Sequence, residues 1–243
     1  MVNLVVDAGN TNIKLFLFEN DLIVFKYIFS NTSTDFDDKI QSFLLSKNIS
    51  YCIISSVNKI NEKLLFFLEN NLNTIFFTHG MNLPVDIEYK TPETLGLDRL
   101  ASVVGADALF PGKNILVIDA GTAITYDLVL NKKYLGGTIS PGILTRFKAL
   151  HTFTEKLPLL NINEEEKGLY GNTTKSAIIL GVQNGVMYEI MGNIKAFKEK
   201  YNDLAVIFTG GDTFFFEKSF KFCIFVEPNL TAIGLNKILK LNV

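Results

Sequence analysis

The sequence predicts an α/β fold built twice over, as two lobes that each carry a mixed β-sheet flanked by helices. Three observations point there. Apolar runs of strand length alternate with apolar residues at helical spacing along the whole chain. The length, 243 residues, exceeds one compact domain and suits two lobes of roughly 100–130 residues. Finally, Asp7-Ala8-Gly9-Asn10 returns as Asp119-Ala120-Gly121-Thr122, 112 residues further on, each time between two strands. The lobes are drawn at 1–110 and 111–243, and a ligand cleft is expected between them.

In the first lobe, Val2 to Val6, Ile13 to Phe18 and Leu22 to Phe29 spell three consecutive strands, the last two separated by a polar Glu19-Asn20-Asp21 turn. Phe36, Ile40, Phe43 and Leu44 recur at helical spacing behind a cap expected at Ser33 or Thr34. A strand over Tyr51 to Ile54, a helix over Ile60 to Leu68 and a strand over Thr74 to Phe77 follow. Thr91-Pro92-Glu93 places a cap before proline at a first helical position and opens the connecting helical segment near Asp98 to Phe110. From Ile115 the order restarts: strands over 115–118, 124–130 and 134–139, with an Asn131-Lys132-Lys133 turn, then a helix after Pro141 and a long helical region from Thr174 to about Tyr201. A strand over 205–208, a helix, a strand over 223–226 and a closing helix complete the second lobe.

Composition excludes several classes. With 48% hydrophobic and 20% charged residues, including 21 Phe, the chain is too apolar for disorder. A net charge of -2 with scattered Lys and Arg gives no electrostatic footprint for nucleic acid. Cys52 and Cys223 lie far apart in apolar, strand-like runs and read as buried hydrophobes, so neither zinc nor a disulfide framework is indicated and a cytoplasmic location is expected. Asp7 interrupts the first apolar run, which therefore does not read as a signal peptide. The one candidate membrane span, Ala177 to Ile194, carries Gln183, Asn184 and Glu189 and reads as a buried helix instead. Its glycines, Gly181, Gly185 and Gly192, are expected to permit close helix packing at a cost in intrinsic helix stability. His79 and His151 lie outside every motif and read as surface or supporting residues; Glu164-Glu165-Glu166 reads as a solvated loop or helix start.

The two acidic turns carry the chemistry. A triphosphate needs convergent backbone donors, a glycine that lets the backbone approach, a cation on the phosphates and a carboxylate near the metal. Asp7, Gly9, Asn10, Thr11 and Lys14 supply that set, with Asp7 holding magnesium through water and Lys14 reaching a phosphate as a point charge. A lone D-A-G-N is an ordinary hairpin turn. Its recurrence at Asp119, with Thr125 shortly after, is what turn propensity does not require, because a duplicated turn needs no duplicated acid. Neither G-x-x-x-x-G-K-[S/T] nor G-x-G-x-x-G after a strand is present, which disfavours P-loop and Rossmann sites.

These paired turns resemble the phosphate loops of the duplicated actin-like ATPases and sugar kinases, a ribonuclease H-like fold. The stretch Tyr89 to Arg99, Y-K-T-P-E-T-L-G-L-D-R, narrows the likeness, because it resembles the T-P-x-T-L-G-x-D-R segment of type III pantothenate kinases. The resemblance runs nearly end to end, through D-x-G-N-T-x-x-K at Asp7 to Lys14, D-x-G-T-A-x-T at Asp119 to Thr125, G-G-x-I-x-P-G at Gly136 to Gly142, N-T-T-x-x-A at Asn172 to Ala177 and T-G-G-D at Thr209 to Asp212. It implies ATP-dependent phosphorylation of pantothenate with Mg2+ and a monovalent cation, K+ or NH4+. It implies ATP contacts along Asp7, Ala8, Gly9, Asn10, Thr11, Asn12, Ile13 and Lys14 and at Thr122, with the monovalent cation at Asp119. Asp98 would be the catalytic base, Arg99 a ligand of the pantothenate carboxylate, and Tyr89, Gly96, Leu97 and Thr174 the rest of the acceptor pocket. A homodimer with its interface on the long helix is implied as well, with neither nucleic acid nor membrane as partner.

Elementary geometry is compatible with these roles. Adjacent residues on a helix do not face each other, so Asp98 and Arg99 are poorly placed to neutralise one another. A helix start with an acid favouring the N-terminal dipole, and a solvated Arg99, is the plainer alternative. Two other readings stay open: a kinase of the same superfamily acting on another small acceptor such as a sugar or acetate, and a non-catalytic regulator, since some relatives are described as accessory factors for transcription. Intact Asp7, Lys14, Asp98 and Asp119 favour an enzyme.

Overall fold

Two backbone reversals at positive φ start each half of the fold. In a computed structural model describing residues 1–9, 12–30, 36–56, 60–217 and 224–243, Asn20 (φ 57) turns the second strand into the third. Asn131 (φ 50) and Lys132 (φ 64) do the same in the second half. Asparagine tolerates this left-handed region, and consecutive positive φ values match the twist of a tight hairpin. Both turns fall where the polar triplets of the sequence place them.

Contacts divide the chain into two units, Met1–Gly112 with Lys132–Tyr134 and Asn229–Val243, and Lys113–Asn131 with Leu135–Pro228. In the first, β1 (Val2–Ala8), β2 (Asn12–Glu19) and β3 (Leu22–Ser30) form an antiparallel meander, and β4 (Tyr51–Ser56) and β5 (Thr74–Phe76) add in parallel, giving the order β3-β2-β1-β4-β5. The helices α1 (Asp38–Leu45) and α2 (Glu62–Asn71) cover one face, where Leu4, Val6, Ile13, Leu15 and Leu17 pack with Leu44, Leu64 and Leu68. Asp37 caps α1 through bonds from Lys39 N and Ile40 N, so the start lies later than expected; Ser33 and Thr34 lie outside the described residues. Asn61 caps α2. Cys52 is fully buried, and burial pushes its thiol up to about 12, so it remains protonated and inert. Cys223 lies outside the described residues.

The second unit repeats the plan. β7 (Asn114–Ala120) pairs antiparallel with β8 (Ala123–Leu130); β9 (Lys133–Pro141) lies beside β8; β10 (Leu204–Thr209) and β11 (Phe225–Val226) add in parallel. Apart from a sixth strand that adds beyond β9, the order β9-β8-β7-β10-β11 matches that of the first sheet. The helices α4 (Ile143–Thr152) and α5 (Thr174–Lys200) cover one face, packing Ile143, Phe147, Ile178, Val182, Val186 and Ile190 on Leu116, Ile118 and Tyr126. A five-residue helix, α6 (Thr213–Glu217), follows β10.

Two departures from the expected division concern the first unit. A short strand absent from the sequence reading, β6 (Asp86–Ile87), pairs in parallel with Lys133 and Tyr134, so the tip of the β8–β9 hairpin counts with the first unit. The closing helix α7 (Leu230–Leu241), expected in the second lobe, also belongs to the first, where it packs on α3 (Leu97–Leu109). Glycine makes that packing possible: a Cβ on Gly234 would sit 1.8 Å from Ala101 O, and one on Gly105 would sit 2.3 Å from Leu230 O. Asn236 ties α7 to the sheet, its side chain bonded to Asn3 Nδ2 (3.1 Å) and to Asn20 O (3.0 Å).

On α5 the expected close packing is not made within this chain, because a Cβ at Gly181, Gly185 or Gly192 meets nothing within 4 Å. Those glycines admit no close neighbour within this chain. Among the described residues no helix is long and apolar enough to cross a membrane. In α5, Gln183 is spent on a loop, accepting from Asn163 N (2.8 Å) and donating to Asn163 O (3.2 Å).

Gly234→Ala is expected to destabilise the protein by about 1–3 kcal/mol, because overpacking against a backbone carbonyl outweighs the ~1 kcal/mol that alanine gains in a helix. Urea unfolding measures it, and an unchanged or raised midpoint would contradict the α3–α7 contact.

Candidate functional site

The first acidic turn is set by strand register. β1 and β2 pair so that Asp7 stands opposite Lys14, and Gly9 N closes the turn on Asn12 O at 3.0 Å. Ala8 and Ile13, the next pair in, are buried and anchor the turn from below. Asn12 begins β2 and is exposed; Asn10 and Thr11 lie outside the described residues. Asp7 Oδ2 lies 3.5 Å from Lys14 Nζ, with the side chains 15% and 35% exposed. Burial pushes the Asp7 carboxyl above its ordinary value; Lys14 opposes this, and the charge of Asp98 adds to it. Asp98 therefore shares the electrostatic neighbourhood of Asp7 and Lys14.

The segment from Tyr89 to Arg99 brings Asp98 into that neighbourhood. A 3-10 turn over Pro92–Thr94 is closed by Thr94 N and Oγ1, both bonded to Thr91 O, and Thr91's own side chain caps no backbone N–H. Leu95 is buried, Gly96 takes the N-cap position, and α3 begins at Leu97. Asp98 Oδ1 accepts from Arg99 N at 2.8 Å, folding back over the helix start. A Cβ on Gly96 would lie 2.5 Å from that oxygen, so a larger residue there would turn the Asp98 carboxylate away from this position. Asp98 is exposed whereas Arg99 is 8% exposed and partnered within the chain, so the solvated arginine of the plainer alternative is not what the fold contains.

Supporting contacts in this segment had no signal in the sequence. The Tyr89 ring lies 6.0 Å from that of Tyr134, which is fully buried, and Glu88 Oε1 meets Lys133 Nζ at 2.6 Å. Strand pairing of β6 with the hairpin tip, continued by Glu88 N to Tyr134 O at 2.9 Å, thus fixes the residues that lead into Tyr89. His79 Nε2 sits 2.7 Å from Leu95 O, a supporting position; His151 Nδ1 sits 2.8 Å from Leu157 O, far from the motifs in sequence.

The second turn is one residue shorter. Gly121 N bonds Ala123 O (2.9 Å), and the register sets Asp119 opposite Thr125, so a threonine occupies the place that Lys14 holds in the first repeat. Thr125 Oγ1 donates to the buried Asp127 at 2.9 Å. Thr122 is exposed, and its carbonyl accepts from Gly142 N (3.0 Å) and Thr145 Oγ1 (2.7 Å). The T-G-G-D segment, quoted in the sequence without a role, closes on the same turn. Gly210 (φ +101) approaches so closely that a Cβ would lie 2.3 Å from Ala120 O and 2.5 Å from Asp119 Oδ1, and Asp212 N bonds Ala120 O at 2.9 Å. Burial raises the Asp212 carboxyl above its ordinary value.

Thr174 is the first residue of α5, behind a capping box formed by Thr173 and Ser176. It lines a largely apolar groove of about 960 Å3 between α4 and α5, together with Arg146, Phe153, Ile178 and Gly181. Among the described residues there is no cluster of three or more His, Cys, Asp or Glu side chains placed to hold a metal ion.

Two sheets of matching strand order, each led by a hairpin with an acidic turn, define the duplicated actin-like ATPase and sugar kinase fold. A Listeria monocytogenes protein described as an N-acetylmannosamine kinase superposes with a TM-score of 0.54 at 13% identity, covering 99% of both chains. A conserved Campylobacter jejuni protein assigned to the Baf family of transcriptional activators gives 0.61 at 25% identity, covering 98% of this chain and 97% of that one. Within that fold, the chain belongs to the type III pantothenate kinase family, whose profile matches residues 3–196. A type III pantothenate kinase of Christiangramia forsetii is 42% identical over 245 aligned positions, covering 99% of each chain.

Because the folded-state value of Asp7 is raised above its unfolded value of 3.8, the stabilisation tied to its protonated form is present below that value and lost as pH rises through the folded one. Asp7→Asn is therefore expected to raise the melting temperature of the ligand-free protein at neutral pH, with the gain vanishing in acid. Calorimetry across pH measures it; a lower melting temperature at neutral pH would contradict the cost assigned to the ionised carboxylate.

Proposed function

We propose that the chain phosphorylates pantothenate at the expense of ATP, giving 4'-phosphopantothenate and ADP, the first step of coenzyme A biosynthesis. The observation that carries this reading is membership of the family over most of the chain, with the family's acidic residue at the start of α3, in the field of Asp7 and Lys14. Asp98 orients the acceptor hydroxyl and takes its proton as the new P–O bond forms and the bond to ADP breaks. The transition state is loose, so positioning and charge stabilisation supply most of the catalysis, and an exposed, backbone-braced carboxylate suits that task. Arg99 lends donors of its planar fork to the substrate carboxylate. Tyr89, Gly96, Leu97 and Thr174 complete the acceptor pocket.

ATP is held along Asp7 to Lys14 and at Thr122, with Lys14 as the cation on the phosphates. The donor sets suit hard cations, being carboxylate and carbonyl oxygens without thiol or imidazole. Asp7, costly to ionise where it stands, fits Mg2+ held through water, and Asp119 fits K+ or NH4+; bound there, the ions would neutralise phosphate charge. The protein works in the cytoplasm as a homodimer, with neither nucleic acid nor membrane as partner. Support for the dimer comes from α5, where Gly181, Gly185, Tyr188 and Gly192 share one face, the glycines open and Tyr188 58% exposed.

A kinase for another acceptor would share the ATP machinery but prefer a sugar or acetate over pantothenate. A regulator, the reading favoured by the description of the Campylobacter protein, would turn over nothing.

Asp98→Asn is expected to lower turnover at least ~100-fold, the usual contribution of a positioned base, while leaving ATP affinity nearly intact. A pantothenate-dependent ADP-release assay with and without K+, alongside calorimetric ATP titration, reads both; full activity in the variant refutes the role. Light scattering on the eluting protein is expected to give twice the 27.2 kDa chain mass, and Gly185→Arg to give single chains; a wild-type monomer counts against the dimer.

A further inference from the structure

We propose that Glu189 and Arg146 are positioning residues for the second acidic turn, setting Gly121 and Thr122 for their contact with ATP. The inference rests on the reading of Thr122 as an ATP contact.

Glu189 is the acidic residue inside the apolar stretch of α5, and its carboxylate gathers three other elements. It accepts from Tyr126 on β8 (3.0 Å), from Ser140 near the end of β9 (3.0 Å) and from the Arg146 guanidinium on α4. Arg146 divides its fork further, with Nη2 to Ser140 Oγ (2.8 Å) and Nε to Pro141 O (2.8 Å). The network therefore grips the corner that runs from Ser140 through Gly142 into α4.

That corner is what touches the turn. Gly142 N and Thr145 Oγ1 both donate to the Thr122 carbonyl, and Arg146 N bonds Gly142 O (3.0 Å). Gly142 packs so tightly that a Cβ would lie 1.9 Å from Gly121 O, leaving no slack between corner and turn. A shift of Pro141 or Gly142 is thus passed directly to Gly121 and Thr122. The side chains of Arg146 and Glu189 are 23% and 26% exposed, where an ion pair alone contributes little to stability. Directional, charge-assisted bonds to a backbone carbonyl and a shared serine are the distinctive part, and they fix geometry. Burial works to raise the Glu189 carboxyl, but bonds from Arg146, Ser140 and Tyr126 bring it below its ordinary value, so the acceptor stays ionised at neutral pH.

Steady-state kinetics on Glu189→Gln and Arg146→Lys test this, with Thr122→Ala beside them. Arg146→Lys keeps charge and length but lacks the planar fork. Both variants are expected to raise the KM for ATP about tenfold while kcat and the KM for pantothenate stay within about twofold, which corresponds to losing one good charge-assisted contact. An unchanged ATP KM in folded Glu189→Gln and Arg146→Lys, with Thr122→Ala impaired, overturns the inference and leaves the reading of the turn intact. Equal rises in both KM values, the mark of general loosening, also overturn it. A Thr122→Ala enzyme with normal ATP KM removes the underlying reading and the inference with it.

Discussion

The first acidic turn holds a carboxylate at the end of β1, largely out of water, with one lysine across the strand pair and a second carboxylate in the same field, and the hairpin bears the cost. A nonpolar residue at that strand end would fold at less cost. Backbone register leaves no freedom in the matter, because Ala8 and Ile13 are buried as the next pair and fix Asp7 against Lys14. The unfavourable ionisation of Asp7 is thus built into the hairpin itself, and a cation with its phosphates is the natural way to relieve it. At the start of α3, the missing side chain of Gly96 leaves room for the Asp98 carboxylate to fold back onto the Arg99 amide.

Duplication has kept the scaffold and altered the turn. Both sheets share one strand order, and both turns place an aspartate at the end of the leading strand. The second turn is shorter by a residue, exchanges lysine for threonine, and is buttressed by Gly142 on one side and Gly210 on the other. The first repeat sets a lysine opposite its acid; the second sets a threonine there and packs two glycines against its turn. The shorter turn leaves the register alone, since Ala8 pairs with Ile13 and Ala120 with Ile124, so the exchange of lysine for threonine opposite the acid is a separate substitution.

Strand existence, hairpin turns and the repeat were legible in the sequence because each rests on neighbours a few residues apart. Asn20 and Asn131 announce their turns. What remained hidden depends on distant partners. Gly105 and Gly234 carry no local mark of close packing, while the glycines of α5, which do look like a packing stripe, meet nothing in their own chain. The cap at Asp37 lost out to better-looking hydroxyls upstream, and β6 is too short for any period to register. At the site, the acidic turns and the segment around Asp98 were readable as motifs, but the backing of Thr122 by Ser140, Arg146 and Glu189 joins residues up to 67 positions apart and has no sequence signature.

The placement of α7 has a consequence for how the protein is made. Asn236 bonds Asn3 across 233 residues, and α7 lies on the face of β1 and β4 opposite α1 and α2. On the ribosome, β1 and β4 must wait for a helix made much later, with Val5 and Ile53 lacking that cover meanwhile. Such long sequence separation slows closure of the unit and leaves apolar surface of the half-built sheet uncovered during synthesis.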